Sequence, residues 1–395
     1  MRVVTLSVLI ALAVSAADFP QWRGPARDGV VPARASWPEK LSRKWSQKVG
    51  IGHASPVLAG GKLYVFAREK NEEVLWALDP SSGKVLWRQA YAAPYKMNPA
   101  AVSHGEGPKS TPLVAGGKVF TLGIHGIVTA WDAASGKRLW QKDYAKSPLY
   151  GSSASPMLDA GLMVLHTGGH DSGALTAFDP ATGAEKWKWA GDGPGYASPV
   201  VGTFGGVKQV VTQSQDQVIG VDAASGALLW QIPYKTDYTQ NIVTPVIMGD
   251  TVIYSGLNNG VTAVKPVKSG GKWAAERVWH NSEVAFYMSS PVRKGDVLYG
   301  MSHKNKGQYV AVDVKSGKTL WRSGPRQGEN AAILLAGDSL LLLNNEGTLI
   351  VAKAAPDAFA EVRRYAVAES PTWAHPAPTE RGLIIKDLDS VALWE

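Results

Sequence analysis

The stretch DAASGKRLW, residues 132–140, is one copy of a phrase that returns as DPSSGKVLW from Asp79, DPATGAEKW from Asp179, DAASGALLW from Asp222 and DVKSGKTLW from Asp313. Trp stands eight residues after Asp every time, at Trp87, Trp140, Trp187, Trp230 and Trp321. An Asp carboxylate that accepts from amides two or three residues on, a Gly free to turn left-handed, and a large apolar ring with one N–H to satisfy make a turn followed by an anchor. The phrase reads as architecture and not as chemistry.

A second element recurs between the copies: ASPVLAGGKLYVFA from Ala54, STPLVAGGKVFTLG from Ser110, ASPMLDAGLMVLHTG from Ala154, ASPVVGTFGGVKQVVT from Ala197, VTPVIMGDTVIYSG from Val243 and SSPVRKGDVLYGMS from Ser289. Each reads as a short strand opening at Pro, a Gly- or Asp-centred turn and an alternating apolar strand. A third strand such as GIVTAWD then leads into the Asp turn, and a fourth ends at Trp. The Asp positions lie 43 to 53 residues apart until a gap of 91 before Asp313, where TAVKPVKSGGKW fits as a degenerate copy with Lys265 in the place of Asp and Trp273 in register. Four-stranded units at this period predict a β-propeller.

Units open near Ser55, Thr111, Ser155, Ser198, Thr244 and Ser290, a seventh from Asn330, and an eighth from Trp373 that reaches Glu395 after three strands. The segment LSRKWSQKV, 41–49, resembles the fourth-strand text and supplies the missing strand, with Trp45 as its docking tryptophan. The expected fold is all-β: a single eight-bladed β-propeller over residues 18–395, with four-stranded antiparallel blades, closed by pairing the N-terminal strand with the C-terminal blade so that no seam is left open.

Composition agrees with many tight turns: 42 Gly and 24 Pro, with 19% charged residues. The formal charge of +8 is scattered, so no nucleic-acid surface is expected. Arg2, the apolar run Val3–Val14 and Ser15-Ala16-Ala17 have the order and size of a signal peptide over residues 1–17. No later stretch has the length of a transmembrane segment. The absence of Cys removes disulfides and lipid attachment through an N-terminal Cys. These features predict a periplasmic or secreted monomer.

The pattern A-x-D-x-x-[ST]-G-x-x-x-W, complete in ALDPSSGKVLW, AWDAASGKRLW, AFDPATGAEKW and AVDVKSGKTLW and departing at Gly220 in GVDAASGALLW, resembles the repeat of PQQ-like (quinoprotein-type) propellers. That family holds quinone-dependent alcohol and sugar dehydrogenases and the BamB-like outer-membrane assembly propellers. The adjacent-cysteine disulfide that clamps the quinone in the larger dehydrogenases is ruled out here. The resemblance implies an exported, non-catalytic scaffold with a protein or peptide partner in the cell envelope and no cofactor; the alternative it implies is a disulfide-free oxidoreductase with pyrroloquinoline quinone (PQQ) and Ca²⁺. On that alternative His104, His303 and Lys304 carry most weight. No metal site is expected from spacing: His166 and His170 are four apart, but the glycines of LHTGGHDSG make a turn and not a helix.

In a propeller the segments entering the innermost strands ring one mouth of the channel. They place His53, His104, Glu106, Lys109, Tyr150, Tyr196, Asn241, Tyr287, Asn330, Trp373 and His375 there as ligand candidates, and the turns after the second strands add His303 and Lys304. Aromatic faces with a few polar groups suit a small molecule or a peptide.

Overall fold

The computed structural model describes residues 18–395, so the expected leader lies outside the described residues. Eight sheets form, seven of four strands and one of five. The first blade runs from its innermost strand Val57–Ala59 through Lys62–Glu69 and Glu72–Leu78 to the outermost Val85–Ala92. The next five blades repeat this order, and their innermost strands begin at Leu113, Met157, Val200, Val246 and Val292. In the eighth sheet the C-terminal strands Ala377–Pro378, Leu383–Lys386 and Ser390–Trp394 are completed by Arg43–Lys48, with Trp45 opposite Leu393 and Ser46 opposite Ala392. Head and tail of the described chain thus share one sheet.

The seventh blade departs from the expected four strands. Val30–Val31 pairs in parallel with its innermost strand Ala331–Ala336, on the side facing the axis. At two residues the strand is too short for an alternating pattern to show in the sequence.

All eight outermost strands carry the same irregularity. Register slips by one residue just before the docking position, at Leu86, Leu139, Lys186, Leu229, Val278, Leu320, Val362 and Lys44. A bulge there re-aims the next side chain and bends a strand edge that would otherwise template another chain. It accounts for exposed apolar residues such as Leu86 and Leu139, which ride on the bulge.

The repeated phrase acts as read. In the turn after Leu78, Asp79 accepts from the amides of Ser81 and Ser82 at 3.0 and 2.9 Å, and Gly83 has φ +71°. Trp45 lies on Gly83 and donates to Pro80 O at 3.1 Å, joining the eighth blade to the first. In the same way Trp140 donates to Pro180 O, Trp187 to Ala223 O and Trp321 to Ala355 O, and Trp87 lies on Gly136. A Cβ at these glycines would meet the ring, so the pattern requires Gly for packing as well as for φ.

One register expectation is corrected. Trp273 sits near the tip of a long hairpin, opposite Lys268, whereas Trp279 stands opposite Ala263, the place that Trp140 takes opposite Ala130. Trp279 lies on Gly317 and donates to Val314 O at 2.8 Å. The hairpin Val261–Ser269 and Lys272–Asn281 is simply longer than its equivalents, and this displaced the apparent match. Because the fifth blade has no Asp-Ser-Gly turn in that place, Trp230 does not dock outward. It folds over Gly220 of its own sheet and donates to Gln209 Oε1 at 2.7 Å. The departure of Gly220 from the alanine of the pattern follows: a Cβ there would sit 2.3 Å from the indole.

The residue before each blade-opening Pro forms a belt around the axis. Ser55 N–H donates to Thr111 Oγ1, Thr111 to Ser155 Oγ, Ser155 to Ser198 Oγ, Ser198 to Thr244 Oγ1 and Thr244 to Ser290 Oγ, at 2.9 to 3.2 Å. His375 N–H closes onto Ser55 Oγ at 2.9 Å. At the seventh blade, which lacks the Ser/Thr-Pro pair, Ser289 bonds Asn330 and Ala331 instead. Each hydroxyl pairs an amide that would otherwise be buried without a partner.

Candidate functional site

Loops entering the innermost strands converge, as expected, on one mouth. They enclose a cavity of about 470 Å³, whose wall includes His53, His104, Lys109, Tyr150, Tyr196 and Tyr287. Asn330, Trp373 and His375 complete the set of foreseen residues that reach it. The hydroxyl belt lies at its base, through Ser55, Thr111, Ser198, Thr244 and Ser290.

Four foreseen residues do not line it. Glu106 accepts from Met97 N–H at 3.1 Å. Asn241 is fully buried, and its amide nitrogen ties together the carbonyls of Ser214, Gln215 and Tyr234. His303 contacts Ala285 O and Asn258 Oδ1 and lies edge-on behind Tyr287 with ring centres 5.9 Å apart, and Lys304 donates to the carbonyls of Ser282 and Glu283, both in the turn between the second and third strands of the sixth blade. His166 is buried against Trp189, while His170 lies at the hairpin tip beside Asp171, so the two imidazoles face different surroundings.

The floor was not foreseen. The segment Phe19–Val31 crosses the ring: Phe19 pairs with Leu58 of the first blade, Pro20 O accepts from Val114 of the second, and Val30–Val31 joins the seventh. Arg27 donates to Ser155 O and Pro156 O of the third blade, and Arg23 to Pro291 O of the sixth. Trp22 faces the mouth cavity, while Arg23, Ala26 and Arg27 face a second cavity of about 380 Å³ among the innermost strands. The mouth is therefore a blind cup. Its signal lay in QWRGPARDG, where two arginines flank a Gly-Pro turn directly after an aromatic residue.

One wall is an aromatic cluster. His104 lies edge-on to Trp373 with ring centres 4.7 Å apart, and His53 is 6.1 Å from Trp373 and bonds His104 O through Nε2 at 2.9 Å. Opposite, Tyr150 and Tyr196 lie 5.9 Å apart and Tyr287 bonds Gln240. Burial, reinforced by the charges of Lys386 and Lys109, pushes the His53 imidazole down to about 3. Burial and the charge of Arg23 push His375 to about 3. Burial also lowers the Lys109 ammonium to about 8. Lys386, 1% exposed, stands behind this wall with its ammonium held by the carbonyls of Gly52, Asp387 and Leu388.

Among the described residues, those that line the cup include no Asp or Glu. Among the described residues no three His, Cys, Asp or Glu side chains are grouped to hold a metal ion. A Ca²⁺ ion takes six to eight oxygens, carboxylates prominent among them. The donor set at this mouth does not fit the cation that the dehydrogenase alternative implies.

Comparisons agree with the fold. Over 332 residues the chain is 26% identical to the outer membrane protein assembly factor BamB of Burkholderia pseudomallei, covering 78% of this chain and 77% of that protein. The corresponding protein of Shewanella oneidensis is 27% identical over 271 residues, 63% of this chain and 66% of its own length. That match therefore spans just under two thirds of the relative. The quinohemoprotein alcohol dehydrogenase ADH-IIG of Pseudomonas putida is 27% identical over 166 residues, 38% of this chain and 21% of its own. Among solved structures, BamB of Moraxella catarrhalis superposes with a TM-score of 0.64 at 14% identity, covering 90% of this chain and 97% of that one. The P. putida dehydrogenase gives 0.67 at 15%, covering 96% and 80%. The family model described as outer membrane protein assembly factor BamB matches residues 28–188 and 70–323, and the chain belongs to that family.

Proposed function

We propose that this chain is a non-catalytic scaffold of the cell envelope that binds a protein or peptide partner in outer-membrane protein assembly. The observation that carries the reading is membership of the assembly-factor family together with a mouth whose lining, among the described residues, contains no carboxylate. The imidazoles at that mouth support it too, since His53 and His375 near 3 are weak proton acceptors at neutral pH. The fold supplies a rigid wheel with a ring of loops around an aromatic and polar mouth, a surface suited to peptide contact.

The test is affinity capture of the tagged chain from a cross-linked envelope fraction of its own host. Recovery of a component of outer-membrane protein assembly is the expected result; recovery of the bait alone in repeated captures counts against it. A second reading, a quinone-dependent oxidoreductase, is favoured by the likeness to the P. putida alcohol dehydrogenase and by the aromatic cup. Calorimetric titration with PQQ and Ca²⁺, followed by dye reduction with alcohols and sugars, separates the two readings. Saturable binding with turnover would replace the scaffold reading.

A further inference from the structure

The floor segment has a second face, turned away from the mouth. There it encloses the cavity of about 380 Å³ with the innermost strands of the third to sixth blades, and no residue of its lining is shared with the cup. Met157, Val200, Val201, Val246 and Ile247 supply apolar walls, while Arg23 and Arg27 of the floor and Arg293 of the sixth blade supply positive charge. Asp28, Leu158 and Arg293 in the lining are exposed, so the cavity opens to solvent.

Arg23 and Arg27 are 2% and 7% exposed, and the protein does not use all their donors. Of five N–H groups, Arg23 commits two, to Asp28 O and Pro291 O, and Arg27 commits three, to Gln21 Oε1, Pro156 O and Ser155 O. The Nε of each is buried with no hydrogen-bond partner among the described residues. All these acceptors are uncharged, and a buried cation held only by neutral groups is costly. Burial lowers Arg23 to about 10, partly offset by the charge of Asp28, and lowers Arg27 to about 9, with the charge of Arg23 adding to the effect. The two carboxylates of the lining are engaged elsewhere: Asp28 Oδ1 accepts from Val30 N–H at 2.9 Å, and Asp159 pairs with Lys208 at 2.7 Å.

We propose that this cavity binds a small aliphatic monocarboxylate, its carboxylate taken by the open N–H groups of Arg23 and Arg27 and its chain lying on Met157, Val200, Val246 and Ile247. Planar guanidinium groups match the geometry of a carboxylate. An inorganic anion would leave the apolar walls wet, and a dianion would be repelled by Asp28 and Asp159, so the lining selects a single charge on an apolar body. The volume falls within the range of small-molecule pockets. The site stands independently of the partner proposed above.

The test is isothermal titration of the full chain at pH 7 with octanoate, with its neutral isostere octanamide and with inorganic phosphate. The expected result is saturable 1:1 binding of octanoate, about tenfold tighter than octanamide because its hydrogen bonds are charge-assisted, and no saturable heat with phosphate. Photolabelling with an octanoate analogue that carries a diazirine on its chain should modify the peptides containing Met157 or Val246. Arg27→Met should weaken octanoate by about tenfold and leave octanamide within about twofold. Octanamide or phosphate binding as tightly as octanoate, no binding of octanoate up to millimolar concentration, or labelling confined to cup residues such as Trp373 overturns the proposal without reference to any variant. Unchanged octanoate affinity in a folded Arg27→Met protein overturns it as well.

Discussion

Replacing Trp279 by Ala should destabilise the ring, while replacing Trp273 should hardly do so. Trp279 is 8% exposed, so nearly all of its indole is removed from water, and its N–H is paired with Val314 O. An aromatic side chain buries roughly 150–250 Å², which at about 25 cal/mol per Å² gives roughly 4–6 kcal/mol as an upper bound. Area retained by the Ala methyl and partial burial in the unfolded chain reduce this to about 3–5 kcal/mol, the range seen for Trp→Ala in cores. With a melting entropy of about 2.1 cal/mol/K per residue over 395 residues, the melting temperature should fall by about 4–6 °C. Trp273 is half-buried, lies near a hairpin tip and packs at the edge of Gly205, so Trp273→Ala should cost about 1 kcal/mol. Urea titration of both variants, with reversibility checked, measures the two costs. A Trp273→Ala loss equal to or larger than that of Trp279→Ala would refute the register on which the inter-blade anchors rest.

Gly220→Ala drives a Cβ to 2.3 Å from the Trp230 indole and should cost about 1–3 kcal/mol by overpacking, read by the same titration; a neutral effect would mean that Trp230 docks outward after all. Ser198→Ala removes the acceptor of the buried Ser155 N–H and should cost about 1–3 kcal/mol, with the amide exchange of Ser155 accelerated; an unprotected wild-type amide would contradict the belt. Acid should weaken the fold in two stages. His53, His166 and His375 are pushed by burial to about 3, 4 and 3, below the unfolded value, so the unfolded chain takes up protons first and stability falls as pH drops from about 6.5 toward 4. Asp79, Asp132, Asp179 and Asp313, lowered chiefly by hydrogen bonds from their own turns, add a second loss below about pH 4. Denaturation midpoints at pH 7, 5.5 and 4.5 check this, and His166→Leu should make the first stage shallower; an unchanged slope would place its titration elsewhere.

What was legible in the sequence is what repeats. Asp, Gly and Trp recur at fixed offsets because each inter-blade contact poses the same problem, and Trp45 in LSRKWSQKV could be assigned to a blade whose other strands lie more than 300 residues away. Recurrence also explains why the mouth was mostly found: a residue just before a blade-opening Pro must face the axis, as His53, Tyr196 and His375 do. Misses occurred where local context overrides the repeat. A hairpin lengthened between Lys265 and Arg277 moved the anchor from Trp273 to Trp279, and only pairing reveals the shift. Asn241 stands at a mouth position, but its side chain serves the backbone of its neighbours. Trp22, Arg23 and Arg27 occur once, and their role depends on carbonyls from blades far away in sequence. Lys386 was equally hidden, since nothing in LIIKDLD announces four surrounding carbonyls.

The wheel is closed by the strand Arg43–Lys48 lying against Ser390–Trp394, and a disulfide tests that contact directly. The natural chain has no cysteine, so the pair Ser46→Cys and Ala392→Cys can be read without background. These residues are directly opposed in an antiparallel pair, where Cα atoms stand about 4.5–5.5 Å apart, within disulfide reach. Under mild oxidation the double variant should form an intramolecular bond nearly quantitatively, seen as a shift in non-reducing gel mobility and as the linked peptide by mass spectrometry, while Ser46→Cys with Lys188→Cys on the third blade should not. A folded double variant that keeps two free thiols would contradict closure by head and tail.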